Sequence, residues 1–247
     1  MALELPPVIG HRGAAALAPE NTLAGFRAAA AAGARWVEFD VKLTQDGVAV
    51  LMHDETLERT TDGRGAVART PFAALAALDA GGWFGPAYRG ERVPTLDQAF
   101  AELDRLGLGA NIEIKPCPGR ATPTAEAVVA AVAASWPLRL PAPLVSSFEP
   151  DCLAVVRDRA PQLARGLLLK RLSRDWRRAV ETLGCVSVNL GYRQASAAAI
   201  AEVLASGLKL VMWTVNEAVE GARLLAAGAT AIITDRPDDL LGQVRPS

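Results

Sequence analysis

The stretch W-V-E-F-D-V-K-L-T-Q-D-G-V-A-V-L-M-H-D, Trp36 to Asp54, decides how the rest of the chain is read. Two apolar, β-branched runs, Trp36–Leu43 and Val48–His53, are separated only by Thr44, Gln45, Asp46 and Gly47. A crossover between parallel strands needs about a dozen residues, so these runs are not parallel neighbours. Asp-Gly is a hairpin turn signal. The second run is therefore expected to return antiparallel along the top of the first. Within the first run, Glu38 and Asp40 stand two residues apart, and side chains alternate along a strand. Both carboxylates leave the same face of an apolar strand, with Cα atoms roughly 6.6 Å apart. Such a pair repels unless one member takes a proton or a cation lies between them.

Outward from this hairpin, short β-branched runs alternate with Ala/Leu/Arg stretches of helical period. The strand-like runs are Val8–His11, Trp36–Leu43, Val48–His53, Ala110–Ile114, Leu144–Ser147, Gly166–Leu169, Val186–Leu190, Lys209–Thr214 and Ala231–Thr234. Helical period covers Glu20–Ala32, Thr95–Leu106, Thr124–Ala134, Pro150–Arg159, Arg174–Leu183, Ser196–Ala205 and Glu217–Ala227. Alternation of this kind predicts a parallel sheet with crossover helices. Setting the hairpin arm aside leaves eight strands, and an α/β chain of 247 residues has the length of one (β/α)8 TIM barrel. A single domain over 1–247 is expected. The segment of about 55–93 breaks the alternation with a cluster of glycines and Trp83, Phe84 and Tyr88. It reads either as a cap or specificity element over a site, or as a self-packed surface excursion.

Composition narrows the function. Apolar residues are 51 % of the chain and the formal net charge is −1. That is not the footprint of a nucleic-acid or anionic-membrane binder, so neither is an expected partner, and any anionic small-molecule substrate must be met by local charges. Oligomeric state is not legible. Cys117, Cys152 and Cys185 have neither metal-type nor disulfide-type spacing. M-A-L-E-L-P-P-V-I-G-H-R-G shows no basic region followed by an apolar one, and no apolar run approaches the ~18 residues of a membrane helix. A cytoplasmic location is the expectation.

Three acids on apolar strands carry the chemistry. Glu113, in N-I-E-I-K at the end of the next barrel strand, joins Glu38 and Asp40. Strand ends on the C-terminal face are where barrel active sites lie, and three carboxylates suit a hard cation such as Mg²⁺ or Ca²⁺. The chain has two histidines, and both fall at strand ends: His11 in G-H-R-G and His53 in M-H-D. Beside a cation, two histidines are a general base and a general acid, which is what a phosphodiester hydrolase needs. Arg12 is placed to grip a phosphate with two parallel hydrogen bonds, and Lys115 to add a point charge. Taken alone, each acid is more often a salt-bridge partner and each histidine more often a structural residue, while Lys115 is as often a plain ion-pair partner.

With P-E-N-T at Pro19–Thr22, S-S-F at Ser146–Phe148, W-T-V-N at Trp213–Asn216 and T-D-R-P at Thr234–Pro237, the chain resembles the glycerophosphodiester phosphodiesterases along nearly its whole length. It looks most like their short cytoplasmic bacterial form. The resemblance implies a TIM barrel with Glu38, Asp40 and Glu113 as metal ligands. It implies His11 and His53 as the catalytic pair and Arg12 and Lys115 as phosphate-binding residues. One divalent cation is implied, Mg²⁺ or Ca²⁺, with Mn²⁺ also suited. The implied reaction belongs to lipid and glycerol metabolism: a deacylated phospholipid is cut to sn-glycerol 3-phosphate and an alcohol, through a cyclic phosphate. Phe148 and Trp213 are then candidates for an apolar wall along the glycerol carbons, or for plain packing at the barrel rim. Glu20 and Asn21 read as caps that orient the first helix, and Cys117 as structural. The alternatives are a related barrel phosphodiesterase acting on lysophospholipids or phospholipids, which needs a membrane-docking surface, and a barrel without catalysis, which should lack one of the five key residues.

Overall fold

The computed structural model describes residues 3–243; Met1 and Ala2 of the leader reading, and residues 244–247 of the expected domain, lie outside it. Among the described residues nine strands form one sheet. They are β1 (Val8–Gly10), β2 (Trp36–Leu43), β3 (Ala49–Leu51), β4 (Gly109–Ile114), β5 (Leu144–Ser147), β6 (Ala164–Leu169), β7 (Ser187–Gly191), β8 (Lys209–Trp213) and β9 (Ala231–Thr234). β9 pairs in parallel with β1, and β1 with β2, so the eight strands other than β3 close into a TIM barrel. β3 lies antiparallel on the end of β2, with Val41 opposite Leu51 and Leu43 opposite Ala49. The hairpin expectation is thus met, and Gly47 supplies the left-handed turn conformation at φ +83°.

The helices are α1 (Leu23–Ala31), α2 (Phe72–Leu75), α3 (Leu96–Leu106), α4 (Ala121–Ser135), α5 (Pro150–Arg159), α6 (Trp176–Leu183), α7 (Ala197–Ala205), α8 (Ala218–Ala226) and α9 (Pro237–Gln243). Their starts follow local chemistry. The Thr22 hydroxyl accepts from Gly25 N to begin α1, and Thr95 with Gln98 makes a capping box on α3. Glu20 and Asn21 lie before the cap, so α1 begins later than the apolar period indicates. The short α2, and α9 after the last strand, are elements the periodicity did not predict.

β2 is buried along all eight of its residues, as a strand covered on both faces must be. Inside the ring Ile9, Trp36, Leu144, Val211, Ala231 and Ile233 form one cluster drawn from strands around the barrel. A Cβ on Gly109 would lie 2.4 Å from the Trp36 indole, so the indole occupies the space beside that strand. Apolar residues thus fill much of the interior, and Glu38 and Asp40 lie on β2, the strand that contributes Trp36 to this core.

The segment between β3 and α3 packs as a surface excursion and also reaches a cleft. Met52, Leu57, Val67, Leu75 and Val93 form its own small core against Val50 of β3. At the same time Asp54, Glu55 and Thr56 line a cleft of about 640 Å³ shared with Lys42, Lys115 and Phe148.

Candidate active site

Parallel pairing sets the acids side by side. β2 and β4 align Asp40 with Glu113 and Glu38 with Asn111. Glu38, Asp40 and Glu113 each offer an oxygen within 4.8 Å of the others, and all three are buried. Burial raises the Glu38 carboxyl well above the ordinary range, and the charges of Asp40 and Glu113 raise it further. Glu113 is pushed up to about 7, first by burial and then by Asp40. Burial also works against an ionised Asp40, but the Arg12 guanidinium, the Lys115 ammonium and a hydrogen bond from Asn21 outweigh it and hold that carboxyl well below its usual value. Negative charge is therefore favoured on Asp40 over its two neighbours.

The donor set fits a hard divalent cation. Glu38 Oε1 is buried and has no hydrogen-bond partner, which is costly for a polar atom unless something else meets it. Three converging carboxylate oxygens match what Mg²⁺ or Ca²⁺ takes as ligands.

The two histidines share a cavity with this cluster. His11 follows β1, its Nδ1 2.6 Å from Asp235 Oδ1 and its Nε2 3.9 Å from Glu38 Oε2. His53 follows β3, with Nδ1 2.6 Å from Asp54 Oδ1. Burial lowers the His53 pKa, though Asp40 and Asp54 draw it back upward. A carboxylate at Nδ1 fixes the proton there and turns Nε2 toward other work.

Arg12 is held in the left-handed conformation at φ +49°, a conformation unusual outside glycine. That turn aims its backbone N–H at Glu38 Oε2, 3.1 Å away. Its guanidinium lies 3.3 Å from Asp40 Oδ2 and donates to Glu20 Oε1 at 2.7 Å. The turn needs its glycines: a Cβ on Gly10 would sit 2.0 Å from Gly13 O. Lys115 donates to Glu113 at 2.9 Å and lies 3.6 Å from Asp40. Buried Lys42 steadies it by donating to the Lys115 carbonyl at 2.9 Å. Phe148 and Trp213 meet edge to face with centroids 5.4 Å apart, and the Lys115 ammonium lies 5.5 Å from the Phe148 centroid.

All the residues singled out in the sequence therefore converge. His11, Arg12, Glu38, Glu113 and Lys115 line one small cavity of about 70 Å³ together with His53. Phe148 and Trp213 line the same cavity. Asp40 joins it through Arg12 and Lys115.

Several contributors were not assigned from sequence. Asp235 and Asp54 hold the two histidines. Asn216 donates to Asp235 Oδ2 at 2.6 Å and accepts from Asp235 N at 2.9 Å. Asn21 and Glu20, read as caps, instead bind Asp40 and Arg12. Asn111, its carboxamide buried and without partners, faces the same cavity. The signal was present for all six: Asp54 follows His53 directly, Glu20 and Asn21 stand in P-E-N-T, Asn111 in N-I-E-I-K, Asn216 in W-T-V-N and Asp235 in T-D-R-P. Only the closed barrel says which histidine or arginine each one meets.

Residues 11–239 match the glycerophosphoryl diester phosphodiesterase family. A glycerophosphodiester phosphodiesterase of Caldanaerobacter subterraneus is 36 % identical over 240 residues, covering 96 % of this chain and 97 % of its own. One from Bacillus subtilis is 32 % identical over 93 % of this chain and 83 % of its own. The solved structure of an Oleispira antarctica phosphodiesterase, in complex with the product sn-glycerol 3-phosphate, is similar with a TM-score of 0.94 at 37 % identity, covering 97 % of each chain.

Proposed function

The chain belongs to the glycerophosphoryl diester phosphodiesterase family, and on that premise we propose that it hydrolyses water-soluble glycerophosphodiesters to sn-glycerol 3-phosphate and a free alcohol, with a divalent cation and two histidines. The observation that carries this reading is the pairing of each histidine Nδ1 with a carboxylate, in one cavity with the buried acids. The product held by the similar Oleispira antarctica phosphodiesterase supports the glycerol 3-phosphate half of the substrate.

Glu38, Asp40 and Glu113 would hold the cation, Mg²⁺, Ca²⁺ or Mn²⁺. When bound, it offsets charge on the non-bridging phosphate oxygens. The chain's own residues do the rest. Arg12 and Lys115 orient the phosphate. One histidine takes the proton of the glycerol 2-hydroxyl at Nε2, and the other gives a proton to the departing alcohol. The cyclic phosphate that forms is opened by water, with the two rings exchanging roles. Phe148 and Trp213 form an apolar wall for the glycerol carbons. Among the described residues no helix is long and apolar enough to cross a membrane. Three buried free cysteines support a cytoplasmic location for a single-domain enzyme.

The test is glycerol 3-phosphate release from glycerophosphoethanolamine and glycerophosphocholine without detergent. Activity should vanish with EDTA and return with one added cation. Hydrolysis confined to lysophospholipid or phospholipid aggregates would replace this reading with the lipid-directed one.

A further inference from the structure

Arg59 lies in the segment between β3 and α3, and its side chain turns back toward the site. Nε and Nη2 donate to the two oxygens of Asp54 at 2.6 and 3.0 Å. Nη1 and Nη2 donate to the two oxygens of Glu20 at 2.7 and 2.8 Å. One planar guanidinium thus grips two carboxylates, each with two bonds, a geometry that a lysine point charge does not reproduce. Each carboxylate has a second partner nearer the reacting centre. Asp54 Oδ1 is 2.6 Å from His53 Nδ1, and Glu20 Oε1 accepts from Arg12 Nη1 at 2.7 Å.

The Arg59 side chain is 44 % exposed, while that of Glu20 is only 10 % exposed. A bidentate network that reaches a largely buried carboxylate also adds stability, but packing alone does not account for the second partners of both carboxylates, His53 and Arg12. Position accounts for them. Without Arg59, Asp54 keeps one charged partner and is free to rotate away from the ring it orients. Glu20, left with Arg12 alone, competes with Asp40 for that guanidinium. His53 and Arg12 come from loops after β3 and β1, and Arg59 is the link that runs between their carboxylate partners.

We propose that Arg59 is the positioning residue that ties His53, through Asp54, and Arg12, through Glu20, into one unit. The inference rests on the function proposed above. It gives the 55–93 segment a part in catalysis as well as a place in packing.

Arg59→Gln and Arg59→Lys are compared with wild type, with exposed Arg69→Gln in the same segment as the control. Two readouts are taken on the cation-loaded protein: kcat and KM on glycerophosphoethanolamine, and the ring ¹⁵N shifts of the histidines at one fixed pH. The chain has two histidines, so each ring is followed separately. Arg59→Gln is expected to lower kcat by about 100-fold, as for other small misplacements of a catalytic group, and to raise KM. It should move the His53 ring shifts and leave those of His11 in place. Arg59→Lys should recover little of kcat, and Arg69→Gln should match wild type. If Arg59→Gln lowers only the melting temperature, with kcat and KM within about twofold of wild type and the His53 shifts unmoved, Arg59 merely pins the segment and the proposal fails. Should Arg59→Gln not fold, Glu20→Gln takes its place. It should raise KM while leaving the His53 shifts unchanged, and an unchanged KM overturns the Arg12 half. Wild-type protein inactive on every glycerophosphodiester is a failure of the functional reading itself. The His53 shifts in Arg59→Gln still judge the link to that ring.

Discussion

Asp235 Oδ1 lies 2.6 Å from His11 Nδ1, across the seam where β9 closes onto β1. Asp235 cannot swing away, because Asn216 donates to its other oxygen at 2.6 Å and accepts from its backbone N–H at 2.9 Å. The carboxylate therefore selects the His11 tautomer with Nε2 free. In Asp235→Asn the amide can donate to Nδ1 and reverse that choice. The expected result is a kcat loss of up to about 10⁴-fold, the scale seen when a histidine's orienting carboxylate becomes an amide, with KM little changed. Steady-state kinetics on glycerophosphoethanolamine decide it. A kcat that stays near wild type would mean that Asp235 only closes the barrel.

His53 and Glu38 line the same cavity but are assigned different work, and substitution separates them. His53→Ala should lower kcat by about 10²- to 10⁴-fold, the typical contribution of a positioned acid or base, and leave cation affinity unchanged. Glu38→Gln should weaken the cation by about tenfold or more, since even residues behind the ligands are worth that much. Calorimetric titration of Mg²⁺ or Ca²⁺ into both variants reads the difference directly. Equal cation loss in both would undo the division of roles.

How far the sequence carried the reading depended on distance along the chain. Asp46-Gly47 and the short spacing made the hairpin legible, because a two-strand turn is a local matter. Glu38, Asp40 and Glu113 stood out because acids are costly on strands buried on both faces, and His11 and His53 because the chain has no others. Asp235 lies 224 residues from the ring it serves, a contact that exists only once the barrel closes. Glu20 and Asn21 read as helix caps because such residues usually are. Thr22 took that role with its hydroxyl on Gly25 N, which left Glu20 and Asn21 to face Arg12 and Asp40. The helices α2 and α9 are too short for a period of 3.6 to register.

Phe148 and Trp213 form an edge-to-face pair at the cavity wall, and Trp213 Nε1 also donates to Asn189 O at 2.9 Å. An aromatic pair of this kind contributes about 0.5–1.5 kcal/mol beyond burial. Phe148→Ala takes away apolar surface against the glycerol carbons, at about 0.8 kcal/mol per methylene left unburied, and should raise KM by roughly fourfold or more, with a smaller effect on kcat. Trp213→Phe, which retains a ring, should raise KM less than Trp213→Ala. KM values unchanged in both alanine variants would reduce the pair to rim packing.

Glu113 titrates at about 7 in the cation-free site, against an ordinary 4.5, because burial and the Asp40 charge disfavour its carboxylate. Glu38 is also raised, by burial first and then by both acidic neighbours. Cation ligation requires carboxylates, so binding must expel these protons. Affinity is expected to rise with pH up to and beyond about 7, and calorimetry in two buffers of different ionisation enthalpy should register proton release. The same shift fixes a sign for stability. Between pH 4.5 and about 7 the folded, cation-free protein holds a proton on Glu113 that the unfolded chain has lost. Stability from this group is therefore fully present below 4.5 and declines as pH rises through that window. A saturating cation takes the proton's place. The rise in melting temperature on adding Mg²⁺ or Ca²⁺ should accordingly be larger near pH 8 than near pH 5.5, on either side of that transition. An equal rise at both would mean that Glu113 is already ionised in the free protein, and that the three acids do not share their charge in the way their burial implies.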